Sequence, residues 1–176
     1  MGAAQLPNWE GSLSFRRILA AASTAAVLVS AAPSIAHAST GASCWDPKRS
    51  ERNFARKVNR ARSRHDRHRL ELDPQLSQVA RKPAREMRSR WLLFHTDKLG
   101  RRVTNWRALG ENVGTGFSVR SIHRAFMNSP PHRDNIMWKG FRHIGVGVTR
   151  SGDRLWVTVV FESRLDPGTT LPPPSC

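Results

Sequence analysis

Three short stretches carry side chains that could act together: FHTD with His95, LGENVGTG with Glu111 and PPHRDN with His132. Two imidazoles and a carboxylate form a ligand set that zinc accepts, with a fourth position open to water. Water on such a metal is a nucleophile near neutral pH, so a zinc-dependent hydrolase is one reading. The chain has no H-E-x-x-H helix, and Ser129 lacks the G-x-S-x-G setting of a serine nucleophile. A second reading is a metal or ligand site without turnover. A third is a hydrogen-bonded cluster that knits three loops together. Other histidines offer less. His65 and His68 stand i,i+3 in a basic run, where helix-end solvation is the ordinary role. His123 is expected on an exposed helix face, and His143 opens a strand, with an edge-strand role expected. Trp91, Trp106, Trp138 and Trp156 are expected to line the core and a cleft.

The elements that must position these groups follow from periodicity. Phe54, Val58 and Ala61 recur at helical spacing between about Ser50 and Ser63. Asp73-Pro74 announces a second helix, a cap followed by proline at the first helical position. Its buried stripe is Leu76, Val79, Ala80, Ala84 and Met87, and Pro83 is expected to kink it. A third helix starts at the Ser118 cap, turns Val119, Ile122 and Phe126 inward, and ends before Pro130. RHIGVGVT and RLWVTVVF then alternate about a Ser151-Gly152-Asp153 turn, which reads as two antiparallel strands. Helices covering such a sheet make one α+β domain. His95, Glu111 and His132 fall at element ends, on loops. Pro130-Pro131 would project His132 from a stiffened turn, which Arg133, Asp134 and Asn135 fix by local hydrogen bonds.

The ends of the chain speak of export. Arg16-Arg17, the uncharged run from Ile18 to Ile35 and Ala36-His37-Ala38 read as a secretory signal over residues 1–38. Residues 39–49 are then an extension, 50–165 the domain, and 166–176 a Pro-rich tail. Twin-arginine export is weakened by Phe15, and a lipoprotein reading of Cys44 by Gly41. Cys44 and Cys176 are the two cysteines, and in an oxidising compartment they could form a bridge. Closing so long a loop stabilises by about 4–5 kcal/mol in the chain-entropy picture. Two unpaired tail cysteines, or one bonded to another molecule, are the alternatives.

Lys and Arg total 29 against 13 Asp and Glu, a net charge of +16, so partners should be polyanions. The densest run is KRSERNFARKVNRARSRHDRHR, residues 48–69. Anionic envelope polymers or lipid are the expected partners of an exported monomer. Zinc-knuckle spacing and aromatic RNA-binding signatures are missing, so specific nucleic-acid recognition is not expected.

The order F-H-T, G-E-N, helix, N-S-P-x-H-R-x-N-I, G-F-x-x-I-G-V-G-V and a final strand resembles the CAP superfamily. These are the cysteine-rich secretory, antigen 5 and pathogenesis-related proteins, and the small bacterial SCP-like members are most similar. LELDPQLSQVARKPAREM resembles the family's second-helix segment, and the likeness spans residues 53–163. It implies an α-β-α sandwich with a central antiparallel sheet and a cleft lined by two histidines and two acids, which binds Zn²⁺ in some members. His95, His132 and Glu111 take the matching positions; Asn112, Ser129, Arg133 and Asn135 would support the cleft. Ser129 falls where the second acid would stand, and Glu162 is a further candidate to approach. The resemblance implies a secreted binding protein for metal, lipid or polyanion, with a hydrolase or a salt-sensitive adhesin as alternatives.

Overall fold

A computed structural model describes residues 46–163. The first helix, α1, is Arg49–Ser63. Glu51 fixes its start: the carboxylate accepts the Lys48 backbone N–H at 2.8 Å, satisfying a donor that the first turn would leave orphaned. The inward face carries Phe54, Ala55 and Val58, as the spacing predicts, but also Asn59 and Arg62. Arg62 is fully buried, and its guanidinium donates to the carbonyls of His68, Ile136 and Trp138 at 2.8, 2.7 and 3.0 Å. Burial, with Arg67 and Arg142 nearby, lowers its pKa to about 10, so it remains charged.

A two-residue strand, β1 (Glu71–Leu72), leads into α2 (Pro74–Arg90). The Asp73 carboxylate caps α2 by accepting from Leu76 N at 2.9 Å. The expected kink does not interrupt the helix: α2 is continuous through Pro83, whose ring is buried. β2 (Leu109–Gly116), α3 (Val119–Asn128), α4 (Pro130–Met137), β3 (His143–Ser151) and β4 (Arg154–Glu162) complete the order. Ser118 caps α3 as expected, accepting from Ser121 N at 3.0 Å.

The sheet runs β1-β3-β4-β2. β3 and β4 form a hairpin in which Ser151 pairs with Arg154, so Gly152-Asp153 is a two-residue turn with Gly152 at φ +53°. β2 is antiparallel to β4, while β1 is parallel to β3, which makes the expected antiparallel sheet a mixed one. Directly paired residues share a face. Ile144, Val146, Val157, Val159 and Phe161 pack with Phe54, Val58, Ile122, Phe126 and Ile136 in the larger core, under α1, α3 and α4. On the opposite face Val160 meets Leu76 and Ala80 of α2, and Trp156 meets Met87 and Val113. Helices therefore cover both faces, the α-β-α sandwich that the α+β reading implies.

That double cover corrects the reading of the hairpin strands as alternately apolar and polar. The intervening positions of β3 are Gly145 and Gly147. A Cβ on Gly145 would lie 2.1 Å from the Leu76 carbonyl carbon, and one on Gly147 2.3 Å from the Ala80 oxygen. The backbone of α2 rests directly on the strand, and any side chain would lift it.

Two site segments also differ from expectation. LGENVGTG is a strand, not a loop: its glycines sit against bulky rings, with Gly110 facing Phe141 and Gly114 facing Phe126. PPHRDN is helical, so the stiffened turn is replaced by a second helix that begins one residue after α3 ends. Pro130 and Pro131 occupy its first two positions, where a backbone N–H has no intrahelical partner and proline's fixed φ is already helical.

Candidate functional site

β2 is an edge strand, and the candidate residues gather around its free side. Glu111 pairs with Val160 and so turns toward the α2 face; Asn112 pairs with Val159 and turns toward the α4 face. Consecutive residues of one strand thereby engage groups on both faces of the sheet.

On the α2 side Glu111 meets the segment after that helix. Trp91 ends that helix in the left-handed region at φ 53° and sends its N–H to Met87 O. The chain then returns along β2. Glu111 Oε2 accepts from Thr96 N at 2.9 Å and meets His95 Nδ1 at 2.8 Å, while Oε1 accepts the Thr96 hydroxyl. The Glu111 side chain is 6% exposed and that of His95 65%, so a buried carboxylate holds a solvent-facing ring. With Nδ1–H donating to Glu111, the proton-free nitrogen of the neutral ring is Nε2.

On the other side Asn112 meets α4. Asn112 Nδ2 donates to His132 O at 2.9 Å, and Asn135 Nδ2 donates to Asn112 Oδ1 at 2.9 Å and to Glu111 O at 3.2 Å. His132 is half-buried and stacks on Phe126 with centroids 4.8 Å apart and planes at 21°. Its Nδ1 lies 2.8 Å from Ser129 Oγ. Ser129 precedes α4 but makes no side-chain cap to a backbone N–H. Proline at the next two positions removes two of the donors a cap would serve, which frees the hydroxyl for the ring. Burial, and then the neighbouring charge of His95, hold His132 below the usual imidazole range.

His95 and Glu111 are thus in direct contact, and Asn112, Asn135, Ser129 and His132 form the facing network. Arg133 is exposed, and its backbone N–H bonds to Ser129 O as part of α4. Thr96 and the Phe126 ring were missed. The F-H-T stretch contained Thr96, but nothing in its type marks a double donor to Glu111.

Several expectations are corrected. Among the described residues no group of three His, Cys, Asp or Glu side chains is placed to hold a metal ion. The physical reason is that Glu111 commits both oxygens to Thr96 and His95, so it orients an imidazole and does not complete a ligand set. Glu162 does not supply the second acid either. It is buried and meets His143 Nδ1 at 2.9 Å, so His143 is a buried partner in an interior strand. His123, expected to be exposed, is partly buried, and burial lowers its pKa to about 4. Of the four tryptophans only Trp156 is core; Trp91, Trp106 and Trp138 are exposed at 62%, 44% and 45%. No cysteine is among the described residues: Cys44 and Cys176, and with them the expected bridge, lie outside those residues.

Residues 55–161 match the cysteine-rich secretory protein family, CAP. The chain belongs to the CAP family. Uncharacterized protein YkwD of Bacillus subtilis (strain 168) is 31% identical over 96 residues, which is 49% of this chain and 37% of that protein. An extracellular protein containing a SCP domain from Bacillus anthracis str. Ames has a similar structure, with TM-score 0.60 at 24% identity, over 65% of this chain and 40% of that one. An outer surface protein from Borrelia burgdorferi gives a TM-score of 0.61 at 19% identity, over 68% of this chain and 96% of that one. The chain spans less than half the length of the two Bacillus proteins. The CAP family is secretory, and this CAP protein is a secreted or envelope protein. Among the described residues no helix is long and apolar enough to cross a membrane.

Proposed function

We propose that the cleft beside β2 is a non-catalytic binding site for an amphipathic ligand. The polar end of that ligand meets the two imidazoles. The observation that carries this reading is that each ring is fixed through Nδ1, by Glu111 and by Ser129. Nε2 of each ring has no partner among the described residues, so two pre-oriented nitrogens are left for a guest. Ordering them costs little on binding, because the packed network already holds them. An apolar rim supports the second half of the reading. Trp91, Leu92 and Leu93 run up to His95 and are exposed at 62%, 60% and 44%. Three consecutive large apolar side chains in water beside a polar pair suit a ligand with a carboxylate or phosphate head and a hydrocarbon body.

The contact between Ser129 and His132 raises a hydrolase as the second reading. The geometry favours it less. Ser129 Oγ engages Nδ1, and the buried carboxylate that would orient a catalytic ring is bonded to His95 instead.

Palmitate serves as the probe. The His95→Ala/His132→Ala and Leu92→Ser/Leu93→Ser variants should each weaken its binding at least tenfold in calorimetry, with no ester or peptide turnover in the parent protein. Unchanged affinity in both variants would reject the cleft. Turnover lost on Ser129→Ala would establish the hydrolase.

A further inference from the structure

A second feature of the molecule lies away from the cleft, along α1. Three adjoining cavities of about 520, 370 and 170 Å³ follow that helix on the side of α3. The first and second share Asn53 and Val119; the second and third share Lys57 and Arg60. They make one trough. Its lining carries Lys48, Arg49, Arg56, Lys57, Arg60 and Arg64, and no acidic residue lines any of the three.

The spacing of these cations is ordered. Positions 49, 56, 60 and 64 lie on one helix face, with Asn53 on the turn between Arg49 and Arg56 and a cation on each turn of about 5.4 Å from Arg56 to Arg64. From Lys48 to Arg64 the rail is about 24 Å long at a rise of about 1.5 Å per residue. The acids in α1 and just before it are engaged elsewhere. Glu51 is buried against Arg81 at 2.6 Å, and Asp46 pairs with Arg52 at 2.7 Å. Asn53 accepts from Arg56 and steers it along the trough. At the far end His123 lines the wall, and its buried Nε2 has no hydrogen-bond partner among the described residues.

We infer that this trough is a binding site for a linear phosphate-backbone polymer, seated along α1 with its phosphates spread over several turns of the helix. A row of like charges strung along one helix calls for a partner whose charges are also strung out, and a compact anion would use only one or two of them. The occupant is a polymer without bases. Phe117 is the sole aromatic side chain among the trough-lining residues apart from His123, so no stacking platform accompanies the cations as single-stranded nucleic acid requires.

The test uses long-chain inorganic polyphosphate, poly(glycerol phosphate) and poly(dT) of equal charge, with affinity measured across a salt series. The Arg56→Gln/Lys57→Gln/Arg60→Gln/Arg64→Gln variant should lose at least tenfold in affinity for the phosphate polymer. The slope of log affinity against log salt should fall by about three, since each cation removed forgoes about 0.7 of a released counterion. A control with the same charge removed elsewhere, Arg85→Gln/Arg101→Gln/Arg102→Gln/Arg107→Gln, should lose less than threefold. His95→Ala/His132→Ala should bind unchanged, which separates this site from the cleft. The tighter of the two phosphate polymers names the source. Equal losses in the trough variant and the control, no loss in the trough variant, or poly(dT) bound as tightly as polyphosphate would each overturn the assignment.

Discussion

Glu111 shows how one side chain can organise a site without meeting a ligand. Its carboxylate takes a backbone N–H and a hydroxyl from Thr96 and fixes the His95 ring. Glu111→Ala leaves Thr96 N without its acceptor and should lower stability by about 1–3 kcal/mol in urea unfolding. Glu111→Gln should lose less, because its amide oxygen still accepts one of the Thr96 donors. His123 makes a pH prediction. Its folded-state pKa of about 4 lies below the ordinary imidazole value of 6.5, so the unfolded chain takes up the proton more readily. This contribution to stability is complete above pH 6.5 and is lost as pH falls from there toward 4. His123→Phe should flatten that acid limb in urea midpoints measured at about pH 7 and about pH 4.5; an unchanged slope would refute the assignment. At this scale the types and order of His95, Glu111 and His132 were legible in the sequence. The partners of Glu111 were not, because they depend on which face of a strand it occupies.

Among the elements, α1, α2 and α3 were legible, since their caps and apolar stripes are local signals. Asp73, Ser118 and the Phe54–Val58 spacing announce themselves. β2 hid behind its glycines, and α4 behind two prolines. Glycine depresses strand propensity, yet here it makes room for Phe141 and Phe126 rings that lie far away in the chain. Proline ends helices, yet it also starts them, and the sequence alone does not choose between the two. The glycines of β3 carry a sharper prediction. Gly147→Ala places a methyl 2.3 Å from the Ala80 carbonyl oxygen, so the main chain of α2 must move. The variant should lose about 3 kcal/mol or more, or fail to fold, whereas Gly152→Asn in the open turn should cost less than about 1 kcal/mol. Thermal melts of the two would distinguish a steric origin from a general intolerance of β-carbons in this hairpin.

For the whole molecule, the α-β-α arrangement distributes its charges unequally. Among the described residues most cations are solvent-facing, but Arg62 and Arg81 are built into the fold. Arg62 ties the end of α1 to carbonyls at the end of α4, and Arg81 neutralises the fully buried Glu51. Arg81→Ala would strand that carboxylate in the interior and should cost about 3–5 kcal/mol, read as a shift in the urea midpoint. The same truncation at exposed Arg85 should be silent. Net charge and the preference for polyanion partners could be counted from composition, but which arginines are bound up in the fold could not. Periodicity marks apolar faces and is blind to a buried guanidinium.

The borders of the sheet have a consequence for life at high concentration outside the cell. One outermost strand, β1, is only two residues long, and the other, β2, has the Glu111 carbonyl occupied by Asn135 and the Trp91–Lys98 segment fastened to its side chain. On the β2 side these attachments break up the run of vacant amides that a foreign chain could zip onto. The residues of the proposed site thus also guard this margin against templated pairing.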